Sequence, residues 1–361
     1  MKTYRLPRLV VHLSWALLAL APMTWAQDHP MDLRELSLKE LLSLDVVEAT
    51  AGDANTFYRG AWSVGYRYLF QQMKGYQVGR DRVSPVSLLG TNSNQYAIVQ
   101  DEMTQELHII EASYSPTDRL TILAGIPFIV QTTSHQRRPV PNPFVGNVEQ
   151  FDVTTSGLSD VSLKLAYTAF QGDKHQILGF AGISLPTGSI DETGRTPLGA
   201  NANLPYTMQL GSGTYDLDPG IAYSGRSGKW SWGAEFLYKF RLDENDADYN
   251  FGDRYTTSLY LTRRVSDWFA PSVLLTGRVW NEISGRDTRL KAAEGRVPVA
   301  NPALYGGERL DLLFRLNFAA PRGFFKGNRL SLEGGLPIYQ DLNGPQMRAD
   351  FRLGASWQWT F

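Results

Sequence analysis

From Arg59 to its end the chain alternates apolar and polar residues, segment after segment. In WSVGYRYLF the apolar positions are Trp62, Val64, Tyr66, Tyr68 and Phe70; in LTILAGIPFIV they are Leu120, Ile122, Ala124, Ile126, Phe128 and Val130. DVSLKLAYTA, WSWGAEFLYKF, YTTSLYL and LDLLFRLNF repeat the pattern. Strict alternation sends successive side chains to opposite faces of a β-strand, so each segment meets two different environments. Around 104–115, 175–187, 269–282 and 328–340 both faces carry apolar residues, and the pattern leaves open which face points where. Residues 207–224 change phase at Gly211–Gly213, where a β-bulge is expected.

The chain closes on FRLGASWQWTF, alternating to its last residue, with Trp357, Trp359 and Phe361 on one side and Arg352, Gly354, Ser356, Gln358 and Thr360 on the other. Soluble domains usually end in frayed polar residues. An aromatic girdle at a membrane interface, on a strand whose other face lines a lumen, accounts for this ending. The connections between strands point the same way. Those near 116–118, 171–174, 225–229, 265–268 and 320–328 are short; those near 75–103, 132–157, 188–206, 243–253, 283–308 and 341–346 are longer, and the two kinds alternate. Such asymmetry belongs to an outer-membrane barrel with periplasmic turns and extracellular loops. The expected fold is all-β: a transmembrane antiparallel β-barrel of about twelve strands over residues 57–361.

Residues 1–26 read as a secretory signal peptide, with Lys2, Arg5 and Arg8 ahead of an apolar run and small residues before a cut after Ala26. Residues 27–56 form an N-terminal periplasmic segment in which Ser37 and Glu40 make a capping box, and Leu38, Leu41 and Leu42 share one face of a short amphipathic helix. That helix is expected to dock at or inside the periplasmic mouth of the barrel and restrict the pore; the alternatives are a disordered tether or a handle for a periplasmic protein. Beyond the signal no apolar run approaches the roughly 20 residues of a membrane helix, so any crossing must be made by a closed barrel. The chain has no cysteine, which excludes disulfides, thiolate metal sites and a cysteine nucleophile. Its formal charge of −1 argues against nucleic acid as a partner.

GLSDVSLKLAY (Gly157–Tyr167), GISLPTGS (Gly182–Ser189) and QLGSGTYDLDPGIAY (Gln209–Tyr223) resemble the outer-membrane transporter family of the MetA (meta) pathway of phenol degradation. The terminal strand is similar to the C-terminal signature of bacterial outer-membrane proteins, which implies the barrel-assembly machinery as a partner and Trp357, Trp359 and Phe361 as the assembly signal. The family resemblance implies passage of small organic compounds, aromatic or hydrophobic ones among them. Read from the residues alone, the glycines and Pro186 of these motifs serve strand ends and bulges.

On the polar faces of the strands, Arg67, Asp160, Lys164, Glu235, Lys239, Arg254, Arg264, Asp311, Arg315, Arg348, Asp350 and Arg352 are expected to face the lumen, with Asp216 and Asp218 aimed there by the bulge. They would form either an ion-pair lattice that stiffens a small barrel or a selectivity constriction favouring anions. Twelve strands about 4.8 Å apart enclose a barrel roughly 24 Å across, which long Arg and Lys side chains narrow to a filter for small molecules. A lipid hydrolase would need a serine and a histidine set together on the outer wall. His108 is the best-placed histidine, but no adjacent serine pattern accompanies it, and no histidine cluster has metal-ligand spacing. No catalytic residue, cofactor site or metal site is assigned. His135, with Arg137 and Arg138, is expected to contact lipopolysaccharide phosphates. The alternative to a channel is a structural or adhesive barrel that binds through loops such as QRRPVPNPFVG (Gln136–Gly146).

If the terminal aromatics are both girdle and assembly signal, changing Trp359 and Phe361 to Asp blocks assembly while export proceeds. Heat-modifiable mobility on gels reads the outcome; a double mutant at normal membrane levels would count against the assignment.

Overall fold

The computed structural model describes residues 58–90, 95–137 and 149–361. The signal peptide, the 27–56 helix and most of the Gln136–Gly146 loop lie outside these residues.

The wall is built from β1 (Trp62–Gly79), β2 (Ile98–Tyr114), β3 (Leu120–Arg137), β4 (Glu149–Leu158), β5 (Ser162–Gln171), β6 (His175–Ser184), β7 (Gly220–Ser227), β8 (Trp230–Arg241), β9 (Arg254–Arg263), β10 (Phe269–Trp280), β11 (Gly307–Ala319) and β12 (Asn328–Thr360). Each pairs antiparallel with its neighbours in sequence. β4 and β5 are two stretches of one stave, both laid on β3, separated by Ser159–Val161. β12 folds back on itself, so that one arm pairs with β11 and the other with β1. That last pairing closes the barrel, and among the described residues the wall has twelve staves. At the seam, Trp62 N donates to Phe361 O at 3.0 Å and Phe361 N donates to Trp62 O at 2.9 Å, so the final residue is a rung of the ladder.

Burial is inverted relative to a soluble domain. Ile110, Ile126, Phe128, Leu163, Leu165, Ile221, Phe314 and Leu336 are exposed on the outside, while Arg67, Gln71, Gln105, Gln131, Arg278 and Arg309 are buried inside. An apolar exterior over a polar interior is what a bilayer imposes on alternating strands. Aromatic rings gather at the short-turn end. Trp62 stacks on Tyr114 at 4.5 Å, Trp359 meets Phe361 at 4.6 Å, and Phe269 stacks on Phe318 at 5.2 Å. The segments whose faces were ambiguous are now assigned: in β2, His108 and Ile110 point outward and Leu107 and Ile109 inward.

Two features depart from the alternation expected. The connection near 341–346 is not a long loop: the chain reverses within β12, whose first arm pairs with β11 up to Leu342 and whose second arm pairs with β1 from Gln346 onward. Near the opposite strand, the β1–β12 register slips between Gln72 and Met73, opposite Phe351 and Ala349. A one-residue slip exchanges inside for outside. Beyond it Met73, Met347 and Ala349 are buried, whereas Lys74, Arg348 and Asp350 lie on the outer side.

The loops at the long-connection end pack on one another. Tyr206 sits centrally, edge-on to Tyr249 at 4.7 Å and to Tyr305 at 5.7 Å, and its Oη accepts from Asp287 N at 3.0 Å. Arg289 ties the connection at 185–219 to that at 281–306 through Asp287 and Asp191. These bonds, that to Asp287 foremost, hold its guanidinium pKa above the ordinary value.

Candidate functional site: a charged lumen under a clamped loop

Inside the barrel, charged residues pair along the inner wall, mostly between neighbouring staves. Arg67 Nε lies 3.1 Å from Glu111 Oε1. Asp311 is held by Arg278 and by Arg309, the latter at 3.0 Å, and Arg309 Nη2 also donates to Gln71 Oε1 at 3.3 Å. Glu333 accepts from Arg315 at 2.9 Å and lies 3.4 Å from Arg352 Nη2. In this group the guanidinium groups outnumber the carboxylates. A second group is balanced: Asp216 pairs with Lys239 at 3.1 Å and with Arg241, and Lys239 is 3.5 Å from Asp218. Lys164, Glu235 and Arg254 are also buried inside the wall. Apolar residues share the lumen with these charges, among them Leu69, Leu107, Leu123, Leu178 and Phe180.

Not every expected lumen residue is there. Arg264 lies half-buried in the short turn after β9, at the rim. Arg348 and Asp350 form an ion pair with each other at 3.3 Å on the outer side, because the register slip reverses the face of β12 there. Asp350 is therefore no partner of Arg352, whose carboxylate is Glu333. Glu111, Arg278, Arg309 and Glu333 were not picked out from the sequence. Glu333 shares its phase with Ser331, between outward Leu330, Leu332 and Leu336, and that phase was a usable signal.

Asp160 does something else. It lies in the break between β4 and β5, and its carboxylate collects both ends of a long inserted loop. Oδ1 accepts from Gly188 N at 2.9 Å; Oδ2 accepts from Ser212 N and from Ser212 Oγ, both at 2.7 Å. Thr187 Oγ1 bridges the same break, donating to Ser159 O at 2.9 Å and accepting from Val161 N at 2.8 Å. Gly188 and Gly211 lie backbone to backbone there: a Cβ on Gly211 would come within 2.5 Å of Gly188 O. The three motifs noted in the sequence thus converge on one knot.

Between the clamped ends, the loop dips into the barrel. The hairpin of Thr193–Thr196 with Gly199–Asn203 packs against β4, and a 3-10 turn at Tyr206–Met208 follows. Gln131 Nε2 donates to Gln209 O at 3.1 Å, Thr155 Oγ1 to Met208 O at 2.9 Å, and Thr133 Oγ1 to Met208 Sδ at 3.2 Å. These are contacts from wall strands to the loop. The loop is a stopper above the charged layer.

A family model described as "Putative MetA-pathway of phenol degradation" matches residues 89–334. The chain belongs to that family. A crystal structure of the COG4313 outer membrane channel from Pseudomonas putida F1 is similar over 86% of this chain and 98% of that one, at 18% identity and a TM-score of 0.55, which shows a common fold. The Pseudomonas putida toluene transporter TodX aligns over 92% of this chain and 95% of its own at 12% identity, but its TM-score of 0.42 is too low to argue from. No curated protein matches the sequence. The family's matched region spans the clamp, the stopper loop and most of the charged lumen.

Replacing Glu333 by Ala leaves Arg315 and Arg352 without their shared carboxylate. Breaking a fully buried pair costs about 3–5 kcal/mol, and less where water reaches the site. The variant should unfold at lower urea and favour anions more strongly over cations in bilayer recordings. Unchanged selectivity would place this pair away from the narrowest point.

Proposed function

We propose that the protein is an outer-membrane channel for small organic compounds, aromatic or hydrophobic ones among them, delivered to the membrane by a cleaved signal peptide. The observation that carries the reading is the lumen itself: lined by paired charges beside apolar side chains, with a clamped loop folded in above them. A wide polar pore would pass hydrophilic solutes of any kind. A lumen that sets apolar patches beside ion-paired side chains with an arginine excess favours small, partly apolar molecules over large hydrated solutes. Membership in a family described by phenol degradation supports the same substrate class.

We read the role as passage without chemistry. His108, the best-placed histidine for lipid chemistry, has its Nδ1 2.7 Å from Tyr66 Oη, a contact between two outward side chains. His135, expected to reach lipopolysaccharide phosphates from a loop, lies instead on β3 with its ring buried against Phe151 at 4.8 Å, because it shares the inward phase of Gln131 and Thr133. We place that contact on the polar exterior above the apolar band, where Lys74 lies 2.7 Å from Glu102. The barrel-assembly machinery is the partner proposed for the terminal strand.

The test is bilayer conductance of the full chain with neutral aromatics and aromatic acids added as blockers. The channel reading expects a small conductance that falls reversibly as these compounds are added. Conductance indifferent to them, with free passage of sugars, would overturn it.

A further inference from the structure

Among the described residues the methionines are Met73, Met103, Met208 and Met347, and all of them meet in one buried cluster. They come from β1, β2, the stopper loop and the returning arm of β12, so the convergence is made by the fold and not by sequence proximity. Tyr76, Val99, Val153, Leu204 and Leu89 complete the cluster at the loop end of the lumen, above the arginine and carboxylate layer. Methionine is unbranched and polarizable, and it reshapes around a guest more readily than the branched residues that fill an ordinary core.

The stopper's hold on this cluster is chemically odd. Thr133 is fully buried, and the acceptor recorded for its hydroxyl is the Met208 thioether at 3.2 Å. A thioether is a weak acceptor. An oxygen in that place would serve the hydroxyl better. Thr155 and Gln131, beside it on the wall, bond only to backbone carbonyls on the loop side, at Met208 and Gln209. If the 204–210 segment withdraws about its Asp160 clamp, Met208, Leu204 and Leu210 leave an apolar slot whose polar atoms are these wall groups.

We propose that this methionine cluster is a binding site for a small apolar molecule of single-ring size carrying one hydroxyl, which replaces Met208 and takes its oxygen to Thr133. The proposal builds on the channel reading and names where along the lumen such a solute pauses. The ring packs among Met73, Met103 and Met347, and the hydroxyl oxygen accepts from Thr133 Oγ1.

The experiment uses the full mature chain in detergent, with methionine methyls labelled with carbon-13 and assigned by single Met→Leu variants. 4-Methylphenol and p-xylene, which share a shape and differ by the hydroxyl, are titrated in turn. The site predicts saturable shifts of the Met73, Met103, Met208 and Met347 methyl signals, with 4-methylphenol binding tighter by about fivefold, the worth of one hydrogen bond. Thr133→Val should remove that preference while p-xylene binds as before. Shifts that grow in proportion to added compound without saturating, or that spare these four methyls, would overturn the site. Loss of affinity for both compounds alike in Thr133→Val would overturn the hydroxyl assignment. Flux through the same preparation in liposomes separates the two readings: saturable binding without aromatic flux sinks the channel and keeps the site, and flux without saturable shifts does the reverse.

Discussion

A strand that crosses lipid must find a partner for every backbone N–H and C=O, because nothing in the hydrocarbon will supply one. The closure of β12 on β1 meets that demand, and the rest of the molecule follows from it. Once the wall is closed, alternate side chains are committed to lipid or to lumen. Arginine and glutamate then become interior residues, and isoleucine and phenylalanine exterior ones. The pairing of Trp62 with Phe361 at the seam shows how far this goes, since the chain's last backbone groups are used to complete the ring.

Confining charges to a narrow lumen creates a second demand. A lone guanidinium there would be costly, and several of these charges are set against another from an adjacent stave, as Arg315 and Arg352 are against Glu333. Above them, the lumen changes character to methionine and valine, and the inserted loop sits in it by a few hydrogen bonds. A rigid, charged floor and a soft, apolar ceiling divide the barrel along its axis. The two ends of that loop meet at the Asp160 carboxylate, where the wall itself is broken, and at Ser189 O, which accepts from Leu210 N and Gly211 N.

Much of this was legible in the sequence because period-two alternation is a direct image of a two-faced wall. The outward phase of β1 and the inward place of Arg67 and Asp311 could be read from parity alone. Parity fails where the register slips. Arg348 and Asp350 keep the phase of Arg352 in the sequence, yet the slip opposite Gln72 and Met73 turns them outward, and no residue type announces it. The glycine-rich motifs around Gly157, Gly188 and Gly211 looked like separate strand ends. Their meeting at Asp160 is a long-range event, joining residues 28 and 52 positions apart, and local pattern carries no record of it. The methionine cluster was hidden for the same reason.

The proposed channel reading makes the loop held at Asp160 the element that limits passage through the lumen. Single-channel recording of Asp160→Ala against the unaltered chain tests this most directly. Removing the carboxylate frees Gly188 N, Ser212 N and Ser212 Oγ, so the account predicts larger and more frequent open events in the variant, from a barrel that still assembles and shows heat-modifiable mobility. A correctly assembled variant with the same conductance and the same fluctuations as the unaltered chain would contradict it.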